Sequence, residues 1–352
     1  MNSSGKNRTR CYNIYMKTIL VTGAGGYIGS NTVDVLLAAG NRVVALDNFV
    51  DGFKQPLELL KKKYGEDRVA IYQNDLTTDG GSAVMDQEKD IVGVLHFAAL
   101  LNVGESMHVP EKYFTNNVIG TQKLLHAMID HKIEYFIFSS SCTVYGEIEN
   151  PPVDESFPIG RASSAYGATK QICESILEWY GKLGKIKYLS LRYFNVCGAS
   201  DDGLLGDAKR ETFGLMQNAI KGALGMRKFD FNYQKVNTPD GSPIRDYINV
   251  VDLADAHVKG LEYLIKTNKC DVFNLGTGRG NSVLEIVNEI KRVMGADFAT
   301  PDAQTRRTGE IPRIFANYTK AKELLGWEPT RTLEQSITAL AKFYKDHPKG
   351  WE

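Results

Sequence analysis

Short apolar runs alternate with amphipathic stretches over the first half of the chain. Helical spacing of apolar positions predicts helices that include Tyr113–Ile129 and Ala165–Tyr180. The apolar runs predict strands at Lys17–Thr22, Arg42–Asp47, Val69–Tyr72, Val92–Phe97, Tyr135–Ser139 and Lys187–Phe194. Strand and helix periods that alternate in this way are typical of an α/β fold with a doubly wound parallel (Rossmann) sheet. We therefore predict a dinucleotide-binding domain over residues 17–194.

The pattern changes after Phe194. Gly, Asp and Lys crowd residues 198–211, and strands and helices return later, with helices predicted at Val283–Met294 and Leu333–Tyr344. We expect residues 195–352 to form mainly a smaller C-terminal α/β substrate lobe, with segments that return to the Rossmann domain. Residues 1–16 are polar and basic and lack the apolar stretch of a signal peptide, so we expect a disordered tail.

Net charge limits the class of binding partner, and the cysteines bear on metal binding and on the cellular compartment. The 352 residues carry 42 Lys and Arg against 42 Asp and Glu, which gives a formal net charge of zero. This balance argues against nucleic acid or an anionic membrane surface as partner, and no apolar run is long enough for a membrane span. The five cysteines are scattered without metal-ligand spacing, so we expect free thiols, no metal site and a cytoplasmic protein.

A glycine-rich turn follows the first predicted strand. Gly23, Gly26 and Gly29 precede and open a helical pattern, in the strand–turn–helix context that a dinucleotide-binding site needs. The free N–H groups at such a helix start favour phosphates. The second strand ends in Asp47, whose carboxylate would bind the adenosine ribose hydroxyls and repel the 2′-phosphate of NADP. This arrangement predicts an NAD site.

Polar residues follow several of the predicted strands. Asp75, the His96–Leu100 segment, Ser139–Ser141 and Asn195 all stand at carboxyl ends of strands. Ligands of doubly wound sheets collect at this edge. We therefore expect these residues to share one site.

Tyr166 and Lys170 are four residues apart in a predicted helix, so both side chains leave the same face. A cation at ~4 Å favours a phenolate by roughly 4 kcal/mol at an effective dielectric of ~20, or about three pKa units. Such a phenol could exchange protons with a substrate hydroxyl near neutral pH. The same spacing is common on ordinary amphipathic helices, but the motifs that precede it favour a catalytic pair.

The motifs TGxxGYIG, HFAA, VGES, NNVIGT, SSSxTVYG, YxxxK, RYFN, RDYI and VDLADAHV occur in this order from about residue 17 to the C-terminus. In this combination the chain closely resembles the extended short-chain dehydrogenase/reductase superfamily and, within it, the UDP-glucose (UDP-galactose) 4-epimerases. The resemblance implies NAD-dependent inversion at C4 of a UDP-hexose through a 4-keto sugar, with the cofactor held tightly. It also implies a homodimer in which the predicted helices Tyr113–Ile129 and Ala165–Tyr180 pair with those of a second copy. The same apolar pattern would occur if these helices only packed against the core of one chain.

The resemblance also implies residue roles. Tyr166 would be the catalytic base, Lys170 would lower its pKa, and Ser141 would bind the sugar 4-hydroxyl and relay its proton. NAD would contact Gly23, Gly26, Tyr27, Ile28, Gly29, Asp47, Asn48, Asp75, Leu76, Phe97, Ala98, Asn116, Tyr166, Lys170 and Tyr193. The UDP-sugar would contact Ser141, Tyr166, Asn195, Phe231, Arg245 and Arg307, with Ile314 at the position of a gate residue.

Three positions depart from the family pattern. Leu101 stands where a lysine usually lies near the cofactor pyrophosphate, so one phosphate contact is expected to be missing. Residues 199–216 are rearranged, with RETFGLMQ in place of the usual diphosphate-binding segment, and an insertion follows Phe231. Ile314 is smaller than the Tyr that excludes N-acetylated sugars, which suggests that these sugars enter at least partly.

Three alternatives stay open at this point. A nucleotide-sugar 4,6-dehydratase would need an Asp-Glu pair where this chain has Cys142 and Thr143. Epimerases of UDP-glucuronate or UDP-arabinose differ only in details of the pocket. A non-catalytic NAD-bound regulator would not need Ser141, Tyr166 and Lys170 together, and it would keep its activity in a Tyr166→Phe variant.

Overall fold

The structure is a computed structural model and describes residues 16–209, 212, 214–304 and 311–351. The helices in these ranges are α1 (Tyr27–Ala38), α2 (Gln55–Tyr64), α3 (Gly80–Gln87), α4 (Val103–Ser106), α5 (Pro110–Tyr113), α6 (Gly120–Asp130), α7 (Ala165–Lys182), α8 (Leu215–Ala223), α9 (Val250–Thr267), α10 (Val283–Met294), α11 (Thr319–Leu325) and α12 (Leu333–Asp346). The strands are β1 (Thr18–Thr22), β2 (Arg42–Asp47), β3 (Val69–Gln73), β4 (Ile91–His96), β5 (Tyr135–Ser141), β6 (Lys187–Tyr193), β7 (Asn195–Cys197), β8 (Asn232–Gln234), β9 (Ile244–Arg245), β10 (Tyr247–Asn249), β11 (Asp271–Leu275), β12 (Asn281–Ser282), β13 (Asp302–Gln304) and β14 (Arg313–Ile314).

A seven-stranded parallel sheet forms the centre of the molecule, in the order β11-β6-β5-β4-β1-β2-β3. The strand order reverses between β1 and β4, which opens the crevice where doubly wound sheets bind dinucleotides. The predicted α/β Rossmann sheet is confirmed.

Both faces of the sheet are buried, as its continuous apolar strands require. Along β1, Ile19 and Val21 pack into one hydrophobic cluster, whereas Leu20 packs into a second cluster on the opposite face. This alternation follows from the two-residue period of a strand. The two layers of helices hold the loops at the carboxyl edge of the sheet in place.

The part of the chain after residue 194 contributes to both regions. β11 adds the seventh strand to the main sheet beside β6. Smaller sheets pair β12 with β9, β9 with β14, β10 with β7, and β13 with β8. The domain boundary between residues 194 and 195 stays a prediction.

The helix predicted at Tyr113–Ile129 is interrupted. A π-helical turn at Phe114–Ile119 lies between α5 and α6. Apolar periodicity cannot reveal this turn because it widens the helix by one residue without ending it. None of the described helices combines the length and apolar character needed to cross a membrane.

Candidate active site

The glycine turn between β1 and α1 has a tightly constrained backbone. Gly23 has a φ of +68°, and a Cβ there would lie 2.6 Å from the Ala98 backbone nitrogen. A Cβ on Gly29 would lie 2.1 Å from the Gly23 carbonyl oxygen, so α1 packs closely on the turn. No side chain caps the start of α1 at Gly26. The open N–H groups and the helix dipole make this point suited to a phosphate.

Two carboxylates stand at the ends of neighbouring strands. Asp47 accepts hydrogen bonds from the N–H groups of Gly25 at 2.9 Å and Phe49 at 2.7 Å. Burial raises the pKa of Asp47, while these two bonds lower it. Asp75 accepts from Thr77 and from the Asn48 amide at 3.0 Å. Burial raises the pKa of Asp75, but these bonds lower it further, so it lies below its ordinary value.

A cavity of about 730 Å³ runs from the glycine turn to β5. This size is in the range of small-molecule and cofactor sites. Asn195 lies on its wall, as do all of the residues expected at the cofactor except Tyr166. The expected residues on the wall are Gly23, Gly26, Tyr27, Ile28, Gly29, Asp47, Asn48, Asp75, Leu76, Phe97, Ala98, Asn116, Lys170 and Tyr193.

The first turn of α7 positions Tyr166 and Lys170. Ser164 caps the helix by accepting from the Gly167 N–H at 3.1 Å, and the Ser106 hydroxyl accepts from the Tyr166 N–H at 3.2 Å. One turn later, the Lys170 ammonium donates to the Ser139 carbonyl at 2.7 Å and lies 5.8 Å from the centre of the Tyr166 ring. The pair therefore lies against the end of β5, and its catalytic role stays a prediction.

Burial dominates the electrostatics of this pair. It raises the pKa of Tyr166 well above its ordinary value, the nearby Tyr193 phenol adds to this effect, and a hydrogen bond with Ser141 acts against it. Burial also lowers the pKa of Lys170 to about 8. In the protein without cofactor, burial keeps the pKa of Tyr166 above its ordinary value, and the Lys170 ammonium is directed at the Ser139 carbonyl.

Ser141 ends β5 and lies beside Tyr193 in the register of β5 and β6. Its hydroxyl accepts from the Thr143 N–H at 3.2 Å and from the Thr143 hydroxyl at 3.0 Å. These two bonds fix the Ser141 oxygen at the end of the strand. The hydroxyl of Tyr193 contacts that of Ser139, two residues before Ser141 on the same strand.

The π-helical turn places Asn116 at the cavity and Asn117 outside its wall. Asn116 lines the cavity, and Asn117 lies behind it, where sequence reasoning did not anticipate a role. The Asn117 side chain accepts from the Leu100 N–H at 2.8 Å and donates to the Leu100 carbonyl at 3.0 Å and to the Thr169 hydroxyl at 3.2 Å. It thus clamps the loop after β4 to α7. Only the NN pair in the motif NNVIGT marked this position.

The residues expected at the UDP-sugar lie mostly outside the described cavity wall. Arg245 and Ile314 are paired neighbours on β9 and β14. Ile314 is 2 % exposed and packs in one cluster with Cys142 and Phe194. Phe231 lies parallel to Phe229, with ring centres 6.3 Å apart. Arg307 lies outside the described residues.

Asp246 is a second residue that sequence reasoning missed. It is fully buried next to Arg245, and its carboxylate accepts hydrogen bonds from the N–H groups of Thr277, Gly278 and Ala316. Burial raises the pKa of Asp246, and the hydrogen bonds from Thr277 and its neighbours lower it. Asp246 belongs to the motif RDYI, and this motif is the sequence signal that could have pointed to its structural role.

The positions that would carry dehydratase chemistry lack acid–base groups. Cys142 is buried, and burial raises the pKa of its thiol to about 12. Thr143 is occupied as a donor to Ser141. Among the described residues, no group of three or more His, Cys, Asp or Glu side chains is placed to hold a metal ion.

Known proteins resemble the chain over nearly its whole length. A family model described as GDP-mannose 4,6 dehydratase matches residues 20–340. The UDP-glucose 4-epimerase of Lactobacillus helveticus is 40% identical over 336 residues, which cover 95% of this chain and 99% of that protein. The chain belongs to the UDP-glucose 4-epimerase family.

Solved structures of this epimerase family have the same fold. The Stenotrophomonas maltophila UDP-glucose-4-epimerase with bound NAD and formylated UDP-arabinopyranose has a TM-score of 0.88 and 34% identity, covering 94% of this chain and 98% of that one. The Bifidobacterium longum UDP-glucose 4-epimerase in complex with NAD+ and UDP also has a TM-score of 0.88 and 34% identity, covering 95% and 100%. Of the alternatives, the dehydratase shares the name of the family model, but the buried Cys142 thiol disfavours it.

Proposed function

We propose that this chain interconverts UDP-glucose and UDP-galactose by NAD-dependent epimerisation at C4. The observation that carries the proposal is the meeting of Ser141, Tyr166 and Lys170 at the end of β5, beside a cavity lined by the expected cofactor residues. Its relatives of known name act as UDP-glucose 4-epimerases. The cofactor of the family is NAD, which related structures contain.

The described residues fit a dinucleotide. The uncapped start of α1 would face the pyrophosphate, Asp47 would accept from the adenosine ribose hydroxyls, and Lys170 would lie at the nicotinamide end. Bound NAD supplies the acceptor, and then the donor, of the hydride at sugar C4. The acid at Asp47 favours NAD over NADP because a 2′-phosphate there would meet a carboxylate.

Tyr166 would act as the base that takes the proton of the sugar 4-hydroxyl. Ser141, which is hydrogen-bonded to Tyr166, would bind that hydroxyl and pass its proton along. Because burial raises the pKa of Tyr166 in the protein alone, the phenolate needs further positive charge nearby. Tyr166 would therefore be ready as a base only when an oxidised nicotinamide is bound nearby.

The UDP moiety would bind on the C-terminal side of the cleft. We assign Asn195 and Arg245 to the diphosphate, because Asn195 lies on the cavity wall and a guanidinium is suited to phosphate oxygens. Phe231 offers an aromatic face for the uracil ring. Arg307 is proposed here on the family pattern alone.

Ile314 would set how large a sugar the site accepts. The residue is smaller than the tyrosine that excludes N-acetylated sugars, and its neighbour on the sheet is Arg245. We expect conversion of UDP-N-acetylglucosamine alongside UDP-glucose, at least partly. An assay in which UDP-glucose is converted and the N-acetylated sugar is not would remove this idea.

We also propose a cytoplasmic homodimer. The described cysteines Cys142, Cys173, Cys197 and Cys270 are free thiols, which suits a reducing compartment. Along α7 and just beyond it, Ile172, Trp179 and Leu183 are exposed with a spacing of seven and four residues, which places them on one face. That apolar stripe is suited to pairing with a second copy.

The direct test incubates the purified protein, with no added cofactor, with UDP-galactose, UDP-glucuronate and UDP-arabinose. We expect conversion of UDP-galactose to UDP-glucose and release of NAD on denaturation. Conversion of UDP-glucuronate or UDP-arabinose but not of UDP-galactose would replace the substrate assignment. A protein without nicotinamide cofactor and without turnover would overturn the proposal.

A further inference from the structure

The described basic residues that line the cavity are Lys112, Lys170 and Lys209. Lys170 is buried at the β5 end, where it donates to the Ser139 carbonyl. Leu101 also lines the cavity and is 53 % exposed there, so it offers an apolar surface where a phosphate contact would be useful. The pyrophosphate needs a cation from elsewhere.

Lys209 lies next to the glycine turn. A second, smaller cavity has Lys209 on its wall together with Gly25, Gly26 and Tyr27, at the uncapped start of α1. Lys112 is absent from that wall, and its ammonium lies 2.8 Å from Glu105. Lys209 is therefore the described cation that both faces the main cavity and borders the phosphate-binding turn.

The main chain of Lys209 is anchored while its ammonium is held loosely. The Lys209 N–H donates to Asp207 at 3.3 Å, and its carbonyl accepts from the Lys221 ammonium at 2.5 Å. The Lys209 ammonium lies 3.3 Å from an Asp51 carboxylate oxygen, on a side chain that is 56 % exposed. The Lys209 side chain is 27 % exposed, but its partner Asp51 is open to solvent, so the pair is partly screened and exchanging Asp51 for a phosphate costs little.

Charge makes a cation at this place necessary. Asp47, Asp51 and Asp207 all line the cavity near the turn, and a pyrophosphate would bring further negative charge beside them. The Lys209 charge already acts on two of these acids, since it lowers the pKa of Asp47 and Asp207 against the larger effect of their burial. Without Lys209, the uncapped start of α1 would be the main group on this wall that attracts the phosphates electrostatically.

We infer that Lys209 is a cofactor-binding residue, whose ammonium leaves Asp51 and binds the pyrophosphate of NAD in place of the contact that Leu101 does not supply. This inference rests on the proposed function, because it requires a dinucleotide in the cavity. It assigns a role to the rearranged 199–216 segment, which otherwise has no counterpart in the family pattern.

The test measures NAD bound per chain after purification and the rate of NAD release, which an external NAD-consuming enzyme reports. The test variants are the single replacements Lys209→Met and Asp51→Asn and the double replacement of Lys209→Met together with Leu101→Lys. The matched control is Lys345→Met, which replaces an exposed lysine on α12. Because Lys209→Met loses a hydrogen bond to a charged phosphate, we expect it to release NAD about 10- to 100-fold faster than wild type. The added Leu101→Lys should restore slow release, and Asp51→Asn and Lys345→Met should hold NAD at least as well as wild type.

Each contrary outcome removes a defined part of the account. Retention of NAD by a folded Lys209→Met protein, or failure of Leu101→Lys to restore it, would overturn the role of Lys209. Fast release from Asp51→Asn would overturn it as well, because the ion pair itself would then be what retains the cofactor. Wild-type protein without NAD would overturn both this inference and the proposed function.

Discussion

Burial at the end of β5 governs the protonation state of Tyr166, the proposed catalytic base. Burial raises the pKa of Tyr166 and lowers that of Lys170 to about 8, so the protein alone favours a neutral phenol. A phenol held neutral until NAD and substrate are in place would not act as a base on other molecules. We therefore propose that bound NAD would favour the Tyr166 phenolate in addition to taking part in hydride transfer.

Replacing Tyr166 with Phe removes the phenolic oxygen and leaves the ring. We expect the epimerisation rate to fall by about 10²- to 10⁴-fold, because general-base catalysis contributes about that much. The NAD content should stay near that of wild type, since the other residues expected at the cofactor line the cavity and are unchanged. A Tyr166→Phe enzyme with nearly wild-type turnover would show that another group takes the proton.

His96 gives the fold a predicted dependence on pH. It lies buried between the hydroxyls of Thr22 at 2.7 Å and Thr121 at 2.8 Å, and burial lowers its pKa to about 3. The unfolded chain binds a proton below about pH 6.5 and the folded chain does not, so stability falls as the pH falls. Between pH 7 and pH 5 this group alone should remove about 2 kcal/mol from the free energy of unfolding.

Urea denaturation of wild type and of His96→Gln at pH 7 and pH 5 checks this value. The variant should be less stable at pH 7 but should lose about 2 kcal/mol less on acidification. His108→Gln, at an exposed position, should follow wild type. Parallel losses in wild type and His96→Gln would contradict the assignment.

At the scale of the elements, a buried ion pair connects β5 with α7 and β6. Glu174 on α7 binds Arg192 on β6 through distances of 2.9 and 2.5 Å, and it accepts from Ser140 on β5 at 2.6 Å. Both charged side chains are almost fully buried. Arg192 also lies over the Tyr145 ring.

Removing one member of this pair should be costly. Glu174→Ala should lower the free energy of unfolding by about 3–5 kcal/mol, because it leaves a buried guanidinium without its partner. The double replacement with Arg192→Met should cost less than the sum of the single changes. Additive losses in a denaturant-based mutant cycle would mean that the two charges are not coupled.

The elements themselves follow from apolar periodicity, and the site residues near strand ends follow from motifs. Asn117, Asp246 and the Glu174–Arg192 pair were not predicted, since their roles depend on partners distant in the sequence. Asn117 bonds across 17 and 52 residues. Long-range side-chain hydrogen bonds of this kind leave no periodic pattern in the sequence, so only the folded structure reveals them. Lys209 likewise lies in a stretch without a recognisable pattern.

At the scale of the whole molecule, the cleft joins chain segments from both predicted lobes. Wall residues come from the glycine turn, from β5 and from residues 195–217. Most of the residues expected at NAD line this cavity, because the carboxyl ends of parallel strands share one edge, and their contact with NAD stays a prediction. Of the residues expected at the UDP-sugar, Asn195 lines the cavity and Ile314 is buried beside Phe194, and the roles of both stay predictions.

The proposed homodimer can be tested by a substitution in the exposed apolar stripe of Ile172, Trp179 and Leu183. Trp179 is 61 % exposed, and we expect a charge there to be incompatible with a dimer interface. Trp179→Glu should convert a dimer to a monomer in sedimentation experiments, whereas Lys345→Met should not. A wild-type monomer, or a Trp179→Glu dimer of unchanged strength, would remove the proposed interface.

The fate of one hydrogen atom tests the central claim most directly. UDP-galactose that carries deuterium at C4 is converted by the purified protein without added cofactor, and the product is examined by NMR. The account predicts UDP-glucose with deuterium retained at C4, because the hydride leaves and returns within one closed site. Product that has exchanged this deuterium for solvent hydrogen would contradict it.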